Sequence, residues 1–322
     1  MTSPITELFA PIQSELIAVE KRLSEVVEGP HPALTIATEH LMRAGGKRIR
    51  PAIALLIAGI FDVNFEQSVS LAAAVEMLHT ATLVHDDLLD NSPLRRGVPT
   101  LNADWPPNVV VLTGDYLFAR AAHLGAQTDN VQVMTLFAQT LMAIINGEIG
   151  QMFSPRRISR DDYYQRIYAK TAALFVLATE AAAVLGNANA ARLAAAREYG
   201  RSVGMAFQIV DDVLDFVGGP AEMGKLTGSD PRQGLITLPT ICYLEAHPDD
   251  PDVQMLLGQQ SENRAIAPRL VTAIRESDAI HQTMQTACEF AARAQLALEM
   301  LPDSIYTAAL YALADYIVDR NW

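Results

Sequence analysis

Cysteine is nearly absent: the 322 residues contain two, Cys242 and Cys288. They lie far apart and form no CxxC pair, which argues against a zinc site or a disulfide framework and fits a reducing cytoplasm. Basic residues are also scarce, with 24 Lys and Arg against 37 Asp and Glu. The resulting net charge of −13 argues against general attraction to nucleic acid or to an anionic membrane. Gly and Pro are few and clustered, and no alternating strand pattern or fixed-period repeat of useful length appears. The longest apolar run, Pro51 to Phe61, is too short to span a bilayer. The first residues, Met1-Thr2-Ser3-Pro4, begin no basic region followed by an apolar core, so neither a signal peptide nor a membrane anchor is expected. A soluble, cytoplasmic protein is the expectation.

What is abundant is apolar, helix-forming material. Half of the chain is hydrophobic and only 19% is charged, so a sizeable core is within reach. Thr2-Ser3-Pro4 followed by Glu7 reads as a helix start, and Leu8, Ile12, Leu16, Val19 and Leu23 recur at helical spacing until Gly29-Pro30. Further helices are expected at about 32–43, 49–61, 65–90, 109–125, 131–153, 161–185 and 190–217. A Gly/Pro-rich break covers 218–234. Residues 236–322 are helical again, interrupted at Pro248 to Pro251, Pro268 and Pro302, and the short helices after about Pro248 are expected to be peripheral. No low-complexity linker separates two halves, so 1–322 reads as a single all-α domain.

Two acidic motifs stand out: Asp86-Asp87-Leu88-Leu89-Asp90 and Asp211-Asp212-Val213-Leu214-Asp215. Each places Asp at i, i+1 and i+4 near the C-terminal end of a long apolar helix. Residues i and i+4 share one helix face, about 6 Å apart along the axis. Two carboxylates there can ligate a hard cation that takes its other ligands from water and phosphate oxygens, as Mg²⁺ does. One such motif could be a solvated helix end. Two copies of one spacing, 125 residues apart, point to function. Six carboxylates on apolar helices also require counter-cations.

Basic residues fall where an anion could use them. Lys47, Arg48 and Arg50 follow Gly45-Gly46, where a loop meets a helix start and unbonded N–H groups favour an anion. Lys47, Arg50 and Arg96 read as ligand contacts; Arg48 reads equally well as a surface charge beside the turn. Lys170 sits in an apolar stretch, where it either contacts ligand or pairs with a structural carboxylate. Lys225 lies in the 218–234 break.

Taken together, GGKRIRP (45–51), HTATLVHDDLLDNSPLRRGVPT (79–100), GDYLFAR (114–120), NGEIGQ (146–151), KT (170–171), GMAFQIVDDVLD (204–215) and GSDPRQGLITLP (228–239) resemble the trans-isoprenyl diphosphate synthase, or polyprenyl synthetase, family. The closing ALADYIVDR (312–320) is also similar. The resemblance implies a single large bundle of long helices around a deep central cavity, the isoprenoid synthase type, usually as a homodimer. It implies that Asp86, Asp90 and Asp211 ligate Mg²⁺, three ions per active site, and that Asp87, Asp212 and Asp215 support them. Arg95, Lys170 and Lys225 would hold the allylic diphosphate, and Lys47, Arg50, His79 and Arg96 the isopentenyl diphosphate. Thr171 and Gln208 would line the site near the developing cation. Leu235 stands where family members often carry Lys, so one cation is missing there, a gap that Lys225 and Arg232 could fill.

The chemistry expected is ionisation of an allylic diphosphate, attack by the double bond of isopentenyl diphosphate, and loss of a proton, in a site that excludes water. The growing chain would run along the first acidic helix toward its N-terminus, past Ala81 and Thr82 and then Leu78 and Ala74. Small residues there leave the path open, so a product of twenty carbons or more is expected. Phe137 or Met142 could form the floor, though core packing suits each better. Three alternatives remain in view. A class I terpene cyclase would share the first motif but lack Asp211-Asp212-Asp215 and the Lys47/Arg50 site. A His-Asp metal phosphohydrolase would need more clustered histidines than His79 and His85, and His85 reads as a packed residue. A non-catalytic subunit of a heteromeric synthase would not need both motifs complete.

Overall fold

In a computed structural model of the chain, residues 4–25, 31–43, 45–95, 97–153, 159–218, 228, 230–231, 234–257 and 263–319 are described, and nearly all of them are helical. The helices are α1 (Pro4–Leu8), α2 (Gln13–Glu25), α3 (Pro32–Arg43), α4 (Ile49–Ile60), α5 (Phe65–Leu89), α6 (Leu101–Asp104), α7 (Pro107–Ala126) and α8 (Val131–Met152). They continue with α9 (Arg160–Ile167), α10 (Ala173–Leu185), α11 (Ala190–Val217), α12 (Leu238–Ala246), α13 (Pro251–Leu257), α14 (Asn263–Glu276), α15 (Ala279–Leu298) and α16 (Ile305–Val318). The expected all-α class is the one found. Among the described residues the only strand pairing is a two-residue antiparallel ladder, Leu94–Arg95 (β1) against Val98–Pro99 (β2).

From Pro32 to Val217 the expected helices appear with bounds within two residues. The first expected helix, however, is broken by a 3-10 turn at Ala10–Ile12, the short α6 and the β1–β2 ladder were not expected, and the 161–185 helix is interrupted. Between α9 and α10 the backbone widens into a π-helical turn, Tyr168–Ala172, which carries Lys170 and Thr171. Such a turn inserts one residue into the helical ladder and re-aims the side chains around it. Pro268 was expected to interrupt a helix, yet α14 runs through it. So early in a helix, a proline costs one N–H bond and leaves the following turns intact. The hydroxyls of Thr2 and Ser3, read as caps, lie outside the described residues.

The chain divides into two compact units. The first comprises residues 1–141, 174–200 and 295–313. Its core is α5, buried on every side from Ser68 to Leu78 and packed against α2, α4 and α7. In α4, ten of twelve residues are buried, and each fully buried Leu or Ile contributes about 1.5–3 kcal/mol. Asn64 caps the start of α5 by accepting the Glu66 N–H at 2.9 Å.

The second unit comprises residues 142–173, 201–294 and 314–322. A capping box at Ser159 and Asp162 starts α9. The late helices are less peripheral than their proline breaks suggest: the ring of Phe290 meets Tyr164 edge-on, and Thr283, fully buried on α15, lies against Cys242 of α12. Of these helices only α13 is short; α14, α15 and α16 run for 14, 20 and 14 residues and bury apolar side chains such as Leu270, Ile274, Ala294 and Leu313.

The expectation that no segment is apolar and long enough for a bilayer also needs correction. By length and composition Val131–Met152 and Arg160–Leu185 both qualify, because single polar residues interrupt their apolar runs without lowering the mean much. The second is mostly buried inside the protein, and the first is mostly exposed.

Candidate active site

The first acidic motif closes α5. Asp86 and Asp87 are its last-turn residues, and Asp90 caps it, its N–H bonding the Asp86 carbonyl at 2.9 Å. Carboxylates at a helix C-terminus face the negative end of the backbone dipole, each at a cost of about 0.3–1 kcal/mol. A cation therefore belongs there. Asp87 already has one: it is 6% exposed, and Arg95 Nε donates to both its oxygens at 2.9 Å while Nη2 lies 2.8 Å from Oδ1. The β1–β2 hairpin delivers Arg95, and His40 Nε2 holds the hairpin through the Pro99 carbonyl at 2.7 Å. Asp86 is half-buried and Asp90 exposed.

His85 is a packed residue, as read. Its ring fills a notch at Gly114, where an added Cβ would fall 2.2 Å from Nε2. That nitrogen lies 3.1 Å from the Val111 carbonyl, and the ring meets Phe118 edge-on. The residues placed along the product path are buried in α5: Leu78 and Ala81 are 0% exposed, and Thr82 is half-buried with its hydroxyl donating to the His79 carbonyl at 2.7 Å. Phe137 is buried, as its core role requires, and Met142 is exposed.

In the same unit Arg50 and His79 come together, with Arg50 Nη1 3.2 Å from His79 Nε2. The Arg50 guanidinium also stacks on Phe175, 4.7 Å from the ring centroid. Lys47 is exposed. Arg48 turns the other way, into ion pairs with Glu20 and Glu76, so it is neither a loose surface charge nor a ligand contact.

The second acidic motif lies near the end of α11 and has its own network. Thr171 donates to Gln208 Oε1 at 2.6 Å, which leaves Gln208 Nε2 to donate to Asp212 Oδ1 at 2.7 Å. Tyr163 donates to the other Asp212 oxygen at 2.7 Å. Burial pushes the Asp212 carboxyl up to about 7, against the lowering effect of those two bonds and of Arg166, while neighbouring Asp211 raises it further. Tyr163 is pushed well above its ordinary value, first by burial and then by Asp212, so it remains a donor. Asp215 is buried and accepts the Asp230 N–H at 3.0 Å. Asp211 is half-buried. Lys170 Nζ lies 2.9 Å from Glu148 on α8, so of its two readings the structure displays the paired one.

Several of these residues were not singled out in the sequence. Glu148 lies within the matched segment NGEIGQ, so a signal existed without a role attached. Tyr163 and Arg166 fall on the face of α9 that leads into Lys170 and Thr171, a periodicity that the π turn disguises. Glu76 is three residues before His79 in an otherwise apolar helix, and a lone buried Glu was a fair signal. Arg96, Lys225 and Arg232 lie outside the described residues. Among the described residues no three acidic, histidine or cysteine side chains form a ready-made metal cage. Carboxylates spaced four apart at a helix end still suit a divalent ion that takes oxygen ligands from a diphosphate.

Comparison with known proteins agrees with this chemistry. The family model described as Polyprenyl synthetase matches residues 31–274. An all-trans-nonaprenyl-diphosphate synthase (geranyl-diphosphate specific) of Rhodobacter capsulatus is 36% identical over 98% of this chain and 97% of its own. A heptaprenyl diphosphate synthase component 2 of Geobacillus stearothermophilus is 34% identical over 98% of both. The crystal structure of a polyprenyl synthase from Caulobacter crescentus, complexed with calcium and isoprenyl diphosphate, superposes with a TM-score of 0.93 at 34% identity, covering 99% of each chain.

Proposed function

This chain belongs to the polyprenyl synthetase family, and from that premise we propose that it is a trans-prenyltransferase. It condenses isopentenyl diphosphate with an allylic diphosphate to give an all-trans polyprenyl diphosphate of twenty carbons or more. The observation that carries the reading is a repeated asymmetry. In both motifs the second Asp is buried and bonded by its own side-chain partners, Arg95 for Asp87 and Tyr163 with Gln208 for Asp212, while the first Asp is more accessible. The inner carboxylate braces the helix end and the outer one is presented to a ligand.

Asp86, Asp90 and Asp211 would hold Mg²⁺, three ions per active site. The metal supplies charge neutralisation for the departing diphosphate. The chain's own residues do the rest. We assign Arg95, Lys170 and Lys225 to the allylic diphosphate, and Lys47, Arg50, His79 and Arg96 to isopentenyl diphosphate. Arg95 would meet the allylic diphosphate while bonded to Asp87, and Lys170 while paired with Glu148. Thr171 and Gln208 line the site by bracing Asp212, Thr171 through Gln208 and Gln208 directly, and offer no nucleophile. Apolar packing along α5, from Ala81 through Leu78, keeps water from the reactive cation, and the growing chain would enter beside half-buried Thr82.

The relatives' names, nonaprenyl and heptaprenyl, support a long product. We further propose a homodimer in the cytoplasm. α8 supports the dimer, because Met142, Ile145, Ile149 and Met152 are exposed along it and would be covered by a second copy. Two unpaired cysteines support the compartment.

The test is incubation of purified protein with Mg²⁺, labelled isopentenyl diphosphate and each of three primers: dimethylallyl, geranyl and farnesyl diphosphate. Extracted products are sized by chromatography. Chains of defined length, lost with a chelator or in Asp86→Ala/Asp211→Ala, support the reading. Release of hydrocarbon or alcohol without elongation would replace it with terpene cyclisation. Two relatives are named as a component, which favours a second reading as one subunit of a heteromeric synthase. Turnover that appears only after a distinct prenyltransferase subunit is added would establish it.

A further inference from the structure

Residue 166 was assigned no role by sequence motif, yet its guanidinium lies beside the network of the second acidic motif. Arg166 lies on α9, half-buried, with its charge near Asp212, Asp230 and Glu148. It sits 5.6 Å from the centroid of the Tyr163 ring, whose hydroxyl bonds Asp212. Its Nη2 donates to the carbonyl of Ile236 at 2.5 Å.

Described residues shortly before that carbonyl are bonded to the second acidic motif. The Gly228 N–H bonds the Asp215 carbonyl at 2.8 Å, and the Asp230 N–H bonds the Asp215 carboxylate at 3.0 Å. The Leu235 N–H then bonds the Asp230 carbonyl at 2.9 Å, one residue before Ile236. Gly228, at φ +75° and with a Val271 methyl 2.6 Å from where a Cβ would be, permits the turn. Gly228 and Asp230 are thus tied to Asp215, Leu235 to Asp230, and Ile236 to Arg166.

We propose that Arg166 is a positioning residue for the allylic diphosphate site. Through Ile236 it holds Leu235, Asp230 and Gly228 against the second acidic motif, and it is the resident cation that balances Asp212 and Asp230 so that Asp211 can receive metal and diphosphate. The inference rests on the reading of that motif as a diphosphate site. It also accounts for Leu235: a cation on α9 serves the segment that has none at 235. Burial weakens the guanidinium's basicity and Asp212 opposes that effect, as expected of a cation retained in the interior for its partners.

The experiment compares wild type with Arg166→Leu, Arg166→Lys and the double variant Arg166→Leu/Leu235→Lys. Steady-state kinetics are measured with Mg²⁺, isopentenyl diphosphate and farnesyl diphosphate. Hydrogen exchange of residues 228–236 is followed without metal or substrate. Arg166→Leu is expected to raise KM for the allylic substrate about ten- to a hundredfold, leaving KM for isopentenyl diphosphate unchanged. Exchange in 228–236 should accelerate, and Arg166→Lys and the double variant should restore part of the allylic KM. Unchanged allylic KM and exchange in Arg166→Leu would overturn the proposal. So would equal increases in both KM values with no rescue by either Lys variant, the result expected of a merely structural residue. If wild type does not elongate at all, the functional reading has failed, and the exchange comparison still decides whether Arg166 clamps the segment.

Discussion

Arg48 turns inward to Glu76, with Nη1 2.6 Å from Oε1, from a backbone in the left-handed region at φ 51°. Its neighbours Lys47 and Arg50 thereby part company with it: Lys47 is exposed and Arg50 meets His79. The left-handed turn is costly for a residue with a Cβ, and the ion pairs to Glu76 and Glu20 hold it in place. The third charge of the cluster thus anchors the turn between Lys47 on the loop and Arg50 at the start of α4.

Breaking that anchor is expected to be severe. Glu76 has a side-chain exposure of 8%, so Arg48→Ala leaves a buried carboxylate without its guanidinium, at about 3–5 kcal/mol. Denaturant unfolding should show the loss, and KM for isopentenyl diphosphate should rise. Arg48→Met/Glu76→Met should recover most of the stability but not the KM. A double variant with wild-type KM would show that the loop is positioned by something else.

Gly147 sets the distance between Glu148 and Lys170. A Cβ there would lie 2.5 Å from that of Ala169, so α8 and the π turn approach as closely as a glycine allows. Gly147→Ala is expected to destabilise by about 1–3 kcal/mol through overpacking and to raise KM for the allylic substrate. Moving the methyl across the contact, in Gly147→Ala/Ala169→Gly, should restore both. Failure of the second change to restore either would place the strain elsewhere.

Ala81 tests the path of the product. Ala81→Phe fills fully buried space on α5, so a stability loss of about 1–3 kcal/mol is expected alongside a shorter product. Chromatography of the extracted prenyl chains is the measurement. An unchanged product length in a variant that folds would show that the chain does not grow past this position.

At the turn between α12 and α13, the Tyr243 hydroxyl donates to Asp250 Oδ2 at 2.8 Å. That bond, with the N–H groups of Asp252 and Val253, holds the Asp250 carboxyl below its ordinary value, and burial and the carboxylate push Tyr243 up to about 12. A carboxyl lowered by folding contributes stability above its unfolded value and loses it as pH falls through the folded one. Tyr243→Phe should therefore be less stable than wild type at neutral pH, and the difference should shrink below the ordinary carboxylate range. A melting-temperature difference that stays constant with pH would remove Asp250 from the explanation.

The acidic motifs were legible because they need only local geometry. Asp at i and i+4 on a helix share a face whatever the helix packs against, and Asp86/Asp90 and Asp211/Asp215 keep that spacing. Lys170 and Arg48 show the limit. Each was recognised as a charge out of place, but whether it meets a ligand or a carboxylate depends on residues 22 and 28 positions away, Glu148 and Glu76.

The sequence by itself therefore determined the all-α class, the helix bounds and the two acidic helix ends, because periodicity, caps and breakers act over a few residues. Tertiary structure alone decided that Asp87 is bound by Arg95, that Tyr163 and Gln208 share Asp212, and that Arg166 holds Ile236. Hydrogen bonds and buried ion pairs depend on ångström distances between helices, and those distances come from packing, down to a missing Cβ at Gly114 or Gly147.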